Sequence, residues 1–249
     1  MRDPIVPAIA GLCAILLLTP ASAPAAPAPP KPNSLYADTT PDISGVWLVV
    51  GGVNWDVDKK PPPFTPEYAA IFKQRRDDVK AGKPVYDPTA ACLPPGMPRL
   101  IISPYPMEII QTPGRVTMLR ELMSQVRRIF TDGRRHPADP DPSFNGHSIG
   151  RWEGDTLVVD TVAMRGDTTL DRDGFPHSDQ THSVERYRRI DPDTLQVQIT
   201  LDDPKAFASP YTVVRTLKRQ ADPTILEYVC EENNRNVPTA DGRTGFSSK

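Results

Sequence analysis

From Thr194 to Leu201 (TLQVQITL) the chain alternates without a break. Leu195, Val197, Ile199 and Leu201 face one way, while Gln196, Gln198 and Thr200 face the other. A period of two with one apolar and one polar side describes a strand buried on one face, as in antiparallel sheet. The same texture, less regular, returns in DISGVWLVV near the start and then repeatedly from Met107: MEIIQT, RVTMLREL, QVRRIFTD, DTLVVDTVA, THSVERYRRI, YTVVRTLKR and ILEYVCEE. Turn chemistry fills the breaks, in Pro113-Gly114, Asp132-Gly133, Glu153-Gly154-Asp155, Asp191-Pro192 and Asp222-Pro223. Nine or so such strands predict a mainly β fold, a single antiparallel barrel or a sandwich.

One helix stands out. Thr65 is placed to cap it, Pro66 suits its first position, and EYAAIFKQRRDDVKAG ends at Gly82, a good stop. Its apolar stripe of Tyr68, Ile71 and Phe72 is narrow, so it covers a core built by other elements. The connection after it, YDPTAACLPPGMPR, is broken by prolines and cannot be regular. The β domain is expected over residues 42–233. Residues 234–249 have little to bury and read as a loose tail.

The first residues read differently. Arg2 precedes an apolar run from Ile5 to Leu18, and Ala23-Pro24-Ala25 offers a small-x-small cleavage site. That layout predicts a signal peptide over residues 1–25, followed by a Pro/Ala-rich linker over 26–41. The expected location is periplasmic or secreted, with no stable membrane insertion once the leader is removed. Loss of Cys13 then leaves Cys92 and Cys230 in an oxidising compartment, where a Cys92–Cys230 disulfide is expected. A formal net charge of −2 speaks against nucleic acid or an anionic membrane surface as partner, since both call for a basic face.

Candidate chemistry begins with Gly146-His147-Ser148-Ile149-Gly150, which satisfies the G-x-S-x-G pattern of serine hydrolases. That pattern works through geometry, a serine on a tight turn between a parallel strand and a helix. Here PADPDPSFN precedes it and the hairpin sequence RWEGDTLVVDT follows, so neither flank fits. The glycines are better read as a bend, and the neighbouring His147 becomes the residue of interest. The chain holds four histidines, His136, His147, His177 and His182, all within 47 residues. They flank Asp160, a carboxylate in an otherwise apolar strand, and Glu185 lies in the next one.

Three readings of this cluster compete. In the first, His136, His147 and His182 transfer protons and Asp160 and Glu185 orient them, without a cofactor. In the second, histidines and a carboxylate hold a divalent metal, although His177 and His182, five apart, would face opposite sides of a continuous strand. In the third they make ordinary hydrogen bonds in a non-catalytic ligand carrier or envelope-associated binding module. Arg134, Trp152 and His177 are the candidate ligand contacts, and a small apolar or aromatic molecule is the expected ligand. Isomerase, lyase and hydrolase chemistry all fit the first reading.

Two resemblances bear on this. Gly45-Val46-Trp47 resembles the G-x-W that opens lipocalin and other calycin barrels, where the tryptophan closes one end. The segments DISGVW, DGRRHP, GHSIGRWEGDTLVVDT, HSVERYRRID and ILEYVCEEN together resemble a family of exported bacterial proteins of unassigned function. That resemblance implies one barrel-like β domain behind a signal peptide. It supplies no catalytic residues.

Overall fold

Nine strands close into a barrel in the computed structural model: β1 (Gly45–Val50), β2 (Met107–Thr112), β3 (Arg115–Arg120), β4 (Gln125–Phe130), β5 (His147–Glu153), β6 (Thr156–Val162), β7 (His182–Asp191), β8 (Thr194–Asp202) and β9 (Tyr211–Arg219). The structure describes residues 40–51, 54–55 and 61–232. The expected leader, most of the linker and the tail lie outside the described residues.

The barrel is mainly antiparallel, as expected, but not wholly so. A ring of nine strands cannot alternate in direction all the way round, because an odd number leaves one pair running the same way. That pair is β4–β5, parallel, with only Ile129↔Ser148 and Phe130↔Ile149 in register. The other eight neighbouring pairs are antiparallel, and β1 closes the ring on β9 through Trp47↔Arg219 to Val50↔Thr216.

Alternation sorts side chains as the pattern required. Leu195, Val197, Ile199 and Leu201 of β8 are fully buried, alongside Leu157 and Val159 of β6 and Ile129 of β4. Trp47 is fully buried too, and its Nε1–H donates to the Ile43 carbonyl at 3.0 Å. The helix α1 (Pro66–Lys80) forms where expected. Thr65 is its N-cap residue by position, but its hydroxyl donates to the Lys205 carbonyl instead of capping the helix. Phe72 and Phe64 meet Phe175 and Phe207 in an aromatic cluster, with ring centroids 4.5–5.9 Å apart.

Two strand expectations trade places. ILEYVCEE forms no strand, whereas GHSIGRWE, expected as a bend and hairpin, supplies β5. The C-terminal segment is held from outside the ladder. Cys92, just after a short 3-10 turn (Pro88–Ala91), is disulfide-bonded to Cys230 with a Cα–Cα distance of 5.5 Å. Nearby, the Tyr105 and Tyr228 rings meet edge-on, and the Leu226 N–H donates to Glu121 Oε2. No helix among the described residues is long and apolar enough to cross a membrane.

The bridge closes 138 residues of chain, so it removes much of the freedom of the unfolded state. The double variant Cys92→Ser/Cys230→Ser is therefore expected to lose about 2–5 kcal/mol of stability in urea denaturation, measured against the oxidised wild type.

Candidate functional site

The two glycines of GHSIG have separate tasks. Gly146 has φ +62°, and a Cβ there would lie 2.6 Å from the Val162 carbonyl oxygen. It turns the incoming loop onto the barrel and starts β5 at His147. Gly150 sits at the parallel seam, where a Cβ would lie 2.9 Å from Ile129 Cγ2.

From that start, alternation decides everything. Ser148 is buried and pairs with Thr161, which is also buried. His147 therefore faces the outer side of the wall, as do Asp160 on β6 and His182 at the start of β7. All three lie at the end of the wall where β5 and β7 begin and β6 ends. The fourth member, His136, comes from the proline-rich connection between β4 and β5.

These four side chains form one hydrogen-bonded chain. His136 Nδ1 lies 2.7 Å from His147 Nδ1, and His136 Nε2 lies 2.9 Å from Asp160 Oδ1. His182 Nε2 reaches the other carboxylate oxygen, Oδ2, at 3.0 Å. The hydrogen bonds from His182 and His136 hold the Asp160 carboxyl below its ordinary pKa, against its partial burial, so it is ionised and only accepts. Both histidines then donate through Nε2–H. With all three imidazoles neutral, His136 Nδ1 is bare and accepts the Nδ1–H of His147, leaving His147 Nε2 as a free lone pair. His147 Nε2 and His182 Nδ1 have no hydrogen-bond partner among the described residues, so the chain is open at both ends.

The two ends are tuned in opposite directions. Burial, with help from His136 and Arg134, lowers the His147 pKa. The hydrogen bond to Asp160 raises that of His182, in spite of partial burial. Phe130 stacks on the His147 ring at a centroid distance of 5.6 Å, and the Arg134 guanidinium lies 3.9 Å over the other ring of the stack. Side-chain exposures of 19% for His136, 30% for Asp160 and 39% for His182 leave the site reachable from solvent.

Other expected site residues lie elsewhere. Glu185 does not orient the histidines. It points into the barrel and is fully buried, because its strand neighbours Ser183 and Tyr187 share the inner face with it. There Arg127 donates to both of its carboxylate oxygens, at 2.7 and 2.8 Å. The same guanidinium donates to Ser148 Oγ and Thr161 Oγ1, while Ser183 and Tyr187 donate to Glu185. Ser148 is thus an interior acceptor on the face of β5 opposite His147, not a nucleophile beside a base.

His177 is also separate. It is buried in a loop against Thr168, Thr181 and the Ser178 carbonyl, and burial pulls its pKa down to about 4. Trp152 is five positions along β5 from His147, roughly 16 Å at strand spacing, and packs against the core. Arg134 contacts the site through Phe130 and its charge acts on His147 from a distance, while its guanidinium is paired with Asp132 at the surface. Arg127 is not among the expected site residues, although the buried Ile129 two positions on marks its face. Among the described residues no group of three or more His, Cys, Asp or Glu is arranged to hold a metal ion. The 2.7 Å separation of His136 Nδ1 and His147 Nδ1 is shorter than the roughly 3.4 Å spanned by two nitrogens of a tetrahedral zinc site.

No protein-family model, curated protein or solved structure matches the chain.

Breaking the interior pair leaves a buried charge alone. Glu185→Leu is expected to cost about 3–5 kcal/mol in chemical denaturation, and adding Arg127→Met to it should recover most of that loss.

Proposed function

We propose that this is an exported barrel protein that performs general acid–base chemistry on a small molecule bound against its outer wall. The observation that carries the reading is the His147–His136–Asp160–His182 chain, open at both ends and tuned oppositely at each. His147 Nε2 is the base: its lowered pKa keeps it neutral near pH 7. His182 is the acid: the hydrogen bond to Asp160 raises its pKa, and in its protonated form it presents Nδ1–H to the ligand. His136 couples them, passing charge between the base and the carboxylate. Two titratable groups pushed apart by their surroundings are the usual basis of such a division of labour.

Isomerisation, elimination and hydrolysis without a covalent intermediate all fit this pair. The ligand is placed on the outer wall because core side chains and the Arg127–Glu185 cluster occupy the interior. Periplasmic or secreted location is supported by the leader-like residues 1–25 and by the disulfide, which persists in oxidising compartments.

The electrostatics have a test that needs no ligand. In an NMR titration of histidine-labelled protein, His182 is expected to titrate above the ordinary imidazole value of about 6.5 and His147 below it. Asp160→Asn should bring His182 back down. A raised imidazole pKa stabilises the fold below the ordinary value, and this contribution fades as pH rises through the raised one. On the acid side it fades as Asp160 protonates at its lowered pKa. Identical, ordinary titration of His147 and His182 would remove the proposal's basis.

Turnover is tested in D2O with a panel of 2-oxo acids, hydroxyketones and lactones, followed by proton NMR. Wild type is expected to exchange or convert at least one compound, with the fastest rate between the two histidine pKa values. His147→Gln and His182→Gln should each reduce that rate about 10²–10⁴-fold with the fold intact. A compound bound equally by all three proteins and changed by none would make this a carrier.

A further inference from the structure

The loops at the end of the barrel where β6 and β8 stop and β7 starts leave an open cavity of about 390 Å³. That is the small end of the range for small-molecule sites, roughly 300–1,000 Å³. Its lining includes Gly166 after β6, Asp179 ahead of β7, Lys205 after β8 and Tyr68 of α1. A Cβ on Gly166 would lie 2.4 Å from the Asp179 amide nitrogen. Only glycine lets the loop after β6 press against the loop ahead of β7 so closely.

Several charged groups around the cavity are already engaged. Arg165 donates to both carboxylate oxygens of Asp167, and Asp203 accepts from the Ser178 N–H, the Ser178 hydroxyl and the Ala206 N–H. Three groups are not. Tyr68 is only 7% exposed, and its hydroxyl has no hydrogen-bond partner among the described residues. Lys205 Nζ and Asp179 Oδ1 stand 3.9 Å apart, an exposed ion pair too long for a hydrogen bond. Burial raises the Tyr68 pKa; Lys205 pulls it back, and Asp203, Glu67 and Asp179 add to the rise, so the phenol is a donor at neutral pH. The helix α1 also starts here. The Thr65 hydroxyl donates to the Lys205 carbonyl at 3.0 Å, which leaves the positive end of the helix without a side-chain cap.

We propose that this cavity binds a free α-amino acid by its zwitterionic head. The carboxylate accepts from the Tyr68 hydroxyl and from Lys205 Nζ, and the ammonium group donates to Asp179. A simple anion there would face Asp179, and a simple cation would face Lys205. A zwitterion carries both charges in the reverse order, and it enters between two groups that stand too far apart to satisfy each other. Proximity to the positive end of α1 favours the carboxylate on the Tyr68 side. The same carboxylate gives the half-hidden phenol the partner it lacks. The cavity shares no residue with the His–Asp chain on the outer wall, so the two sites are independent.

The test is calorimetric titration of the protein with the common L-amino acids, and with the N-acetyl and carboxamide derivatives of any that bind. At least one amino acid is expected to bind saturably, and each derivative, having lost one charge, about tenfold or more weakly. Tyr68→Phe keeps the ring and should weaken the amino acid by about tenfold or more with Tm unchanged. Asp179→Asn should bind the amino acid and its N-acetyl derivative alike. A second measurement needs no variant: amide NMR shifts of the wild type on adding the bound amino acid should be largest at Gly166, Asp179 and Lys205. Absence of binding by every amino acid, equal affinity for the charge-deleted derivatives, full affinity in Tyr68→Phe, or shifts confined to other residues would each overturn the site.

Discussion

The Arg127 guanidinium is the interaction on which the barrel depends. It leaves β4 and donates to Ser148 of β5, Thr161 of β6 and Glu185 of β7. Nine strands oblige one pair to run parallel, and here that pair shares only two register positions, against seven between β5 and β6. The ring is thus thinnest in backbone hydrogen bonds at β4–β5. Arg127 crosses that seam from the inside and fastens β4 to the next three strands. Its donors are met by oxygens and the carboxylate is met in turn by Ser183 and Tyr187, so the buried charges are compensated in place.

The clamp also fixes the outer face. Side chains alternate, so holding Ser148, Thr161 and Ser183 inward presents their neighbours His147, Asp160 and His182 outward. Three adjacent strands contribute one inward hydroxyl and one outward site residue each. A slip of one position in any of them would exchange the two sets and destroy both. The interior ion pair and the exterior His–Asp chain are therefore two readings of a single register, and the polar interior makes that register costly to change.

Much of this was legible in the sequence, and the omissions have physical reasons. Clean alternation in TLQVQITL and turn residues at the breaks were enough for a barrel-like β fold, and Thr65-Pro66 with Gly82 bounded the helix. GHSIGRWE hid as a strand because two glycines and a proline-rich lead-in read as a bend. ILEYVCEE showed strand composition, yet its place at the barrel is set by a disulfide and not by a ladder. His136, His147, His182 and Asp160 were identifiable by type and clustering. Glu185, expected to orient the histidines from its nearness along the chain, lies inside because it is spaced by two from Tyr187. Arg127 reads from composition alone as one of many strand arginines, although the same spacing from Ile129 turns it inward.

The members of the outer hydrogen-bonded chain differ in how they are held. His147, Asp160 and His182 hang on paired strands whose positions the clamp enforces. His136 comes from the connection between β4 and β5 and is bound to the site by its own two nitrogens. Among the described residues it alone links His147 to the carboxylate, for His147 makes no direct hydrogen bond to Asp160 or His182. At 2.7 Å the facing Nδ1 atoms of His136 and His147 cannot both carry protons, so the pair holds at most one positive charge in this geometry. A second proton must drive His136 away from His147. The rigid wall thus fixes where His147 and His182 stand, and the loop residue between them determines whether the two ends are linked as one hydrogen-bonded system or stand as two.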